Sequence, residues 1–239
     1  MPDSATSPDF VPTQRTRVRR MHERGRYDRK TVYAILDAAL VCHVGYVIDG
    51  LPYVTPTLFW REGEQLYWHG SSASRMLRQQ STGIPVCVTV SHVDGLVVAR
   101  SGFHHSLNYR AVMAFGTAAI VADEAIKTAG LNAFVERLYP GRNKQIRPIL
   151  PQELKATMLM SMVIEEVSAK VRTGGPVDDE ADYALDCWAG VIPIEARVGA
   201  AIPDERLKPG IPLLDGLRHW VEGGALPEII GALTRSADE

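Results

Sequence analysis

Cysteine is scarce in this 239-residue chain, and none of its three cysteines forms a CxxC pair. Cys42, Cys87 and Cys187 are too dispersed for a zinc knuckle or a redox dithiol. Cys42 and Cys87 sit in apolar runs, which predicts buried thiols. An odd count with no secretory leader points to a reducing, cytoplasmic setting. No apolar run is long enough to cross a membrane. The formal net charge is only -2, so nothing global favours nucleic acid. The basic residues gather locally, from Arg15, Arg17, Arg19 and Arg20 to Arg24, Arg26, Arg29 and Lys30. Regular aromatic interleaving is missing there, so this stretch reads as a solvated arm or a contact with a partner subunit. A GxGxxG after the first strand is also missing, as is βαβ alternation, which disfavours a Rossmann domain. With no GxSxG, Ser-His-Asp hydrolysis has no anchor. Glu165 and Glu166 are adjacent, which suits one exposed and one paired carboxylate better than an acid/base dyad.

What is present is concentrated in residues 51–75, LPYVTPTLFWREGEQLYWHGSSASR. An extended run ends near Trp60, turns at Glu62 and Gly63, returns as LYWHG and opens into SSASR. Two strands thus feed a loop of hydroxyls and backbone donors, closed by an arginine. That combination suits a phosphate beside a flat, partly apolar ligand. Ser71, Ser72 and Ser74 supply hydroxyls and Arg75 a guanidinium fork, although serine helix caps have the same pattern. Thr55, Thr57 and His69 adjoin this loop, and Trp60 and Trp68 line the site or pack in the core. His104 and His105 invite a metal or haem reading, but neighbours in a strand point to opposite faces. Tyr109-Arg110 is either a hydrogen-bonded pair at a barrel end or a phosphate contact.

Along the chain, Asp28 caps a helix over about 29–39 with Val32, Ile35, Leu36 and Ala39 on one stripe. Residues 41–48 and 51–60 form a hairpin across Asp49-Gly50, with Pro56 marking an edge or bulge. A strand at 66–69 and a short helix at 73–80 follow. The runs 85–90 and 96–100 form a second hairpin across Asp94-Gly95. A long strand spans 109–121, with Gly116 at a bend. A helix spans 124–138, and a short one 151–157. Residues 158–171 read as one strand and 188–194 as another, with C-terminal helices at 213–221 and 226–234. Six or seven strands joined by short antiparallel turns favour a closed or partly closed barrel.

Several segments carry a family resemblance: YDRKTVYAILDAALVCHVGYVIDGLPYVTPTLFW, LYWHGSSASRM, NYRAVMAFGTAAIV, SAKVRTGGPVDD and WAGVIPI. In that order, from about Arg15 to Ile194, the chain resembles the pyridoxamine 5'-phosphate oxidase-like split-barrel superfamily, and within it the nitroimidazole-resistance-protein-like branch. The resemblance implies a mainly β protein, a six-stranded antiparallel split barrel with peripheral helices. It also implies a homodimer with FMN in a groove between subunits. The division would be a flexible arm at 1–14, a flavin-binding domain at 15–194 and a helical extension at 195–239. Carried over, the cofactor contacts would be Thr55, Pro56, Thr57, His69, Gly70, Ser72, Ser74 and Arg75, with Lys170 and Arg172 near the phosphate or the partner. The implied function is an FMN-dependent oxidoreductase passing hydride from NAD(P)H or substrate to a nitroaromatic or quinone-like acceptor. The alternatives are a non-catalytic flavin-storage protein or a haem protein using His104 or His105. No catalytic residue is singled out, and no metal ligands are.

Overall fold

The computed structural model describes residues 9–237, and the first eight residues of the expected arm lie outside that range. The described residues adopt a mixed α/β fold in which ten strands pair antiparallel in a large sheet. The chain divides into two compact units: 1–36, 88–115 and 165–195 in the first, and 37–87, 116–164 and 196–239 in the second.

In the first unit, β1 (Gly25–Arg26) pairs with β9 (Glu166–Arg172), β9 with β6 (Ser106–Thr117), and β6 with β5 (Pro85–Val98). Strand β10 (Gly190–Pro193) lies on β5. Helix α1 (Arg29–Asp37) begins where the Asp28 carboxylate accepts from the Thr31 N–H at 2.8 Å. A hydrogen bond from the Thr31 side chain, more than this backbone bond, holds the Asp28 carboxyl below its usual range. Val32, Ile35 and Leu36 form the buried stripe expected from helical spacing. The basic segment does not float free. Phe10 meets Tyr33 edge to face and lies under the Arg29 guanidinium, and Arg15 covers Phe115.

Asp94-Gly95 is not a hairpin turn. Strand β5 runs unbroken through it. Arg110 donates to both Asp94 carboxylate oxygens, at 2.9 and 2.8 Å, so the aspartate is used by a neighbouring strand rather than by a turn. A Cβ on Gly95 would stand 3.0 Å from the Ile192 carbonyl, so its glycine serves the close approach of β10. Residues 158–171 likewise form two strands, β8 (Thr157–Val163) and β9, broken at Ile164-Glu165.

In the second unit the order is β2 (Val41–Ile48), β3 (Leu51–Glu62), β4 (Gln65–Ser71), β8 and β7 (Ala119–Ile120). The β2–β3 hairpin turns at Asp49 and Gly50, both with positive φ, as an Asp-Gly turn requires. Beyond it, Val41, Val47, Val54 and Leu58 share one exposed face with Pro52 and Pro56. Strand β4 separates two cores. Leu66 and Trp68 are fully buried on one face, where the Trp68 Nε1–H donates to Gln80 Oε1 at 2.9 Å on α2 (Arg75–Gln80). Burying the Leu66 side chain contributes about 1.5–3 kcal/mol. Tyr67 and His69 point to the other face, under α3 (Glu124–Leu138). Gly130 lets α3 settle on the sheet, since a Cβ there would meet Leu159 Cδ2 at 3.1 Å. Buried Arg137 ties the far end of α3 to β3 by donating to the Arg61 carbonyl at 2.7 Å. Asp37 accepts from Arg61 through both carboxylate oxygens and faces Arg137 at 3.8 Å. The C-terminal α5 (Leu226–Ala237) packs on α3 with Ile230 and Leu233 buried, and the Trp220 indole donates to the Leu138 carbonyl at 2.8 Å.

Candidate functional site: the His69 cavity

A cavity of about 480 Å³ opens in the second unit between β4, α3 and residues 143–157. Its walls are mainly apolar: Leu131, Phe134, Val135, Ile146, Pro148 and Ile149. This size and character suit a largely apolar ligand or cofactor. Near the cavity, Arg147 and Glu153 form an ion pair, with the Arg147 Nη1–H donating to Glu153 Oε2 at 2.8 Å. That bond, first among the causes, holds the exposed Glu153 carboxyl at about 2. The same carboxylate accepts from the Leu150 N–H and so starts α4 (Pro151–Ala156).

His69 lines this cavity from β4, together with the polar Asn132, Asn143, Arg147, Glu153 and Thr157. Its ring stands edge-on to Phe134, centroids 5.2 Å apart, and 6.1 Å from Trp60. Its Nδ1 is buried and has no hydrogen-bond partner among the described residues. Burial lowers the pKa of the imidazole, which favours the neutral, ligating form. A buried ring nitrogen without a partner calls for one, since an unmade hydrogen bond costs about 1–3 kcal/mol. Beside it, Trp60 stacks on Tyr67 with centroids 5.4 Å apart and rings 16° from parallel. Burial, and then the charge of Glu62, raise the Tyr67 phenol pKa.

The other expected contacts scatter. Thr55 and Thr57 share a face of β3, while Pro56 lies on the opposite, exposed face. The Thr55 hydroxyl lies 3.1 Å from the Tyr46 hydroxyl. Gly70 faces away from His69, toward Leu77. Ser74 caps α2, its hydroxyl accepting from the Leu77 N–H at 3.5 Å. The Ser72 N–H donates to the Ala156 carbonyl at 2.8 Å. Arg75 lies over the Tyr53 ring at 4.7 Å. Capping and packing therefore account for much of SSASR. Lys170 and Arg172 belong to the first unit, where Lys170 pairs in register with Gly25 and Ala111. Arg172 is buried and donates to the carbonyls of Gly174 and Gly175 at 3.3 and 3.1 Å and to Asn108 Oδ1. Burial, followed by the like charge of Arg24, lowers its pKa.

His104 and His105 occupy a turn before β6. The two roles are separate: the His105 Nδ1 bonds the Ser101 carbonyl at 2.7 Å, and His104 faces Asp179 at 3.4 Å. Among the described residues, no group of three or more His, Cys, Asp or Glu could hold a metal ion. Cys42 is buried, its thiol pushed up to about 12 by burial, and so is inert. No helix among the described residues is long and apolar enough to cross a membrane.

Residues 28–171 match the family described as pyridoxamine 5'-phosphate oxidase. The chain belongs to that family. No curated protein matches it. Among solved structures it is similar to the flavocytochrome Anf3 of Azotobacter vinelandii, with 47% identity, a TM-score of 0.84, and coverage of 90% of this chain and 100% of that one. It is also similar to the FAD and haem binding protein of Mycobacterium smegmatis, with 35% identity, a TM-score of 0.80, and coverage of 85% and 98%. A Bacteroides thetaiotaomicron chain designated a 5-nitroimidazole antibiotic resistance protein shares 22% identity at a TM-score of 0.50, over 62% of this chain and 86% of that one, a likeness of fold alone. The FMN expectation is corrected by these relatives. The one at 35% identity is described as binding FAD and haem, and the one at 47% is a flavocytochrome. Family membership marks a flavin-binding, redox-active type of protein. The sequence offered His69 as one of the flavin contacts. Its LYWH alternation already put it opposite Leu66 and Trp68, and that was the available signal.

Proposed function

We propose that this protein is a flavocytochrome-type redox protein that holds FAD and one haem, with His69 supplying an iron ligand. The observation that carries this reading is the half-buried His69 imidazole on the wall of a mainly apolar cavity of about 480 Å³, with its buried Nδ1 unpartnered among the described residues. Haem requires of a protein chiefly a ligating side chain and an apolar cleft, and the His69 imidazole beside Leu131, Phe134 and Ile149 supports that reading. When bound, haem supplies one-electron chemistry and flavin two-electron chemistry. The chain's own work is to hold the imidazole neutral, exclude water with Phe134, Leu131 and Ile149, and hold the rim with the Arg147–Glu153 ion pair.

For the flavin, Thr55, Thr57, Ser72 and Arg75 of the second unit remain the proposed contacts. Lys170 and Arg172 of the first unit are proposed separately, as contacts with a partner subunit. The exposed apolar face of β2 and β3 supports a homodimer in which a second copy covers Val47, Val54 and Leu58. Closure of strands into a six-stranded split barrel belongs to the same proposal, as do a small-molecule electron donor such as NAD(P)H and a small acceptor.

The test is spectral and chemical. Protein produced with haem supply should show a Soret band together with flavin absorption, and acid extraction should release FAD. Flavin without a Soret band, after haem has been offered, would contradict the haem half. Extraction of no flavin would contradict the other half.

A further inference from the structure

Trp60 is 3% exposed, yet it is no inert core residue. Its ring lies 6.1 Å from the His69 imidazole on one side and stacks on Tyr67 at 5.4 Å on the other. Its Nε1–H donates to the Glu62 carboxylate at 2.8 Å. Tyr67 is only part-buried, and its hydroxyl donates to Gln65 Oε1 at 3.1 Å. Cross-strand register explains the placement: Trp60 pairs with Tyr67, and Glu62 with Gln65, on the His69 face of the sheet. The two readily oxidised rings of this face are thus in contact, each with its proton already held by an acceptor. Phe134, which also touches Trp60 at 4.9 Å, is far harder to oxidise and forms a wall rather than a branch.

We propose that Trp60 and Tyr67 form a one-electron relay between the His69 cavity and the surface, through which small phenol or hydroquinone donors are oxidised at Tyr67. This rests on the reading of His69 as a haem ligand, with hydrogen peroxide as the oxidant. In each turn the Trp60 indole gives one electron toward the cavity, and its Nε1 proton moves along the existing bond to Glu62. Tyr67 then returns an electron to Trp60, which takes its proton back from Glu62. The phenolic proton of Tyr67 leaves past Gln65 to water. A donor in solution restores Tyr67 with one electron and one proton. Two turns supply the two electrons that, with two protons, convert hydrogen peroxide to two waters, and two donor molecules each lose one hydrogen atom. The carboxylate is the decisive detail, because loss of an electron from a buried indole is favoured where the resulting charge can leave as a proton.

Two arms keep this inference separable from the haem reading. In the first, haem-loaded protein is mixed with hydrogen peroxide and frozen for electron paramagnetic resonance, and phenol oxidation is followed in parallel. Wild type should give a tyrosyl signal. Trp60→Phe should lose that signal and at least about tenfold in phenol turnover, with its Soret band unchanged. Tyr67→Phe should move the radical to Trp60. The exposed Trp188 serves as control, and Trp188→Phe should change nothing. In the second arm, haem-free protein is oxidised by a flash-generated ruthenium polypyridyl oxidant. Indolyl and phenoxyl absorbances should interconvert in wild type and in Trp188→Phe, and adding Trp60→Phe to Trp188→Phe should abolish that interconversion. A protein without a Soret band would sink the haem reading, and the second arm would still decide the relay. An unchanged tyrosyl signal and phenol turnover in haem-loaded Trp60→Phe, or no interconversion in the haem-free wild type, would overturn the relay.

Discussion

His69 and the His104-His105 pair are made of the same side chain and have opposite surroundings. The pair stands in a turn, each ring engaged locally, one with the Ser101 carbonyl and the other facing Asp179. His69 is enclosed by Trp60, Phe134 and the cavity, with its Nδ1 unpartnered. A doublet of histidines attracts attention in a sequence, whereas a lone one between Trp68 and Gly70 does not. Ligating capacity follows the environment instead: an imidazole kept neutral by partial burial and left without a partner suits the proposed iron ligand, and a turn histidine bonded to a carbonyl does not.

The largest test of this contrast removes the frame behind His69. Asp37→Ala takes the shared carboxylate from Arg61 and Arg137, both buried, and should cost about 3–5 kcal/mol. Urea unfolding measures this, and haem uptake should fall with the loosening of α3. A smaller effect is expected with pH. Burial lowers the folded-state pKa of His69, and burial likewise leads the lowering at His92, so the unfolded chain binds protons more readily there. The neutral rings' contribution is fully present above the ordinary histidine range and is lost as pH falls from it toward the lowered folded values. Apoprotein stability should therefore drop on mild acidification, and His69→Phe should flatten part of that slope; an unchanged slope would remove His69 from the account. Smaller again, Arg75→Ala should lose about 0.5–1 kcal/mol through its contact with Tyr53, read by thermal unfolding. Least of all, His104→Ala and His105→Ala should each stay within about 0.5 kcal/mol of wild type and leave any Soret band in place.

The parts of the fold legible in the sequence were those set by local signals. Asp28 and the stripe of Val32, Ile35 and Leu36 marked α1, and Asp49-Gly50 fixed the β2–β3 hairpin. The helix expected over 124–138 is α3, ended just before Pro140-Gly141. Asp94-Gly95 misled because the same dipeptide serves a different need inside β5: Arg110 takes the carboxylate, and β10 needs the missing Cβ. The candidate site was less legible for a related reason. His69 acquires its surroundings from residues 131–135 and 143–149, some sixty to eighty positions away, which no local pattern announces. In SSASR, capping by Ser74 and the seat of Arg75 on Tyr53 produce the same string a phosphate loop would. The flavin type was not legible at all, because FAD and FMN present the same ring to a strand such as β3.

The most direct measurement is a haem titration of the apoprotein, followed at the Soret band, in wild type, His69→Ala and the double variant His104→Ala/His105→Ala. Wild type and the double variant should bind haem alike. His69→Ala should weaken binding by more than the roughly 10–100-fold that loss of an outer-shell partner costs, with circular dichroism unchanged. Equal haem affinity in His69→Ala and wild type, or loss confined to the double variant, would contradict the assignment of the cavity.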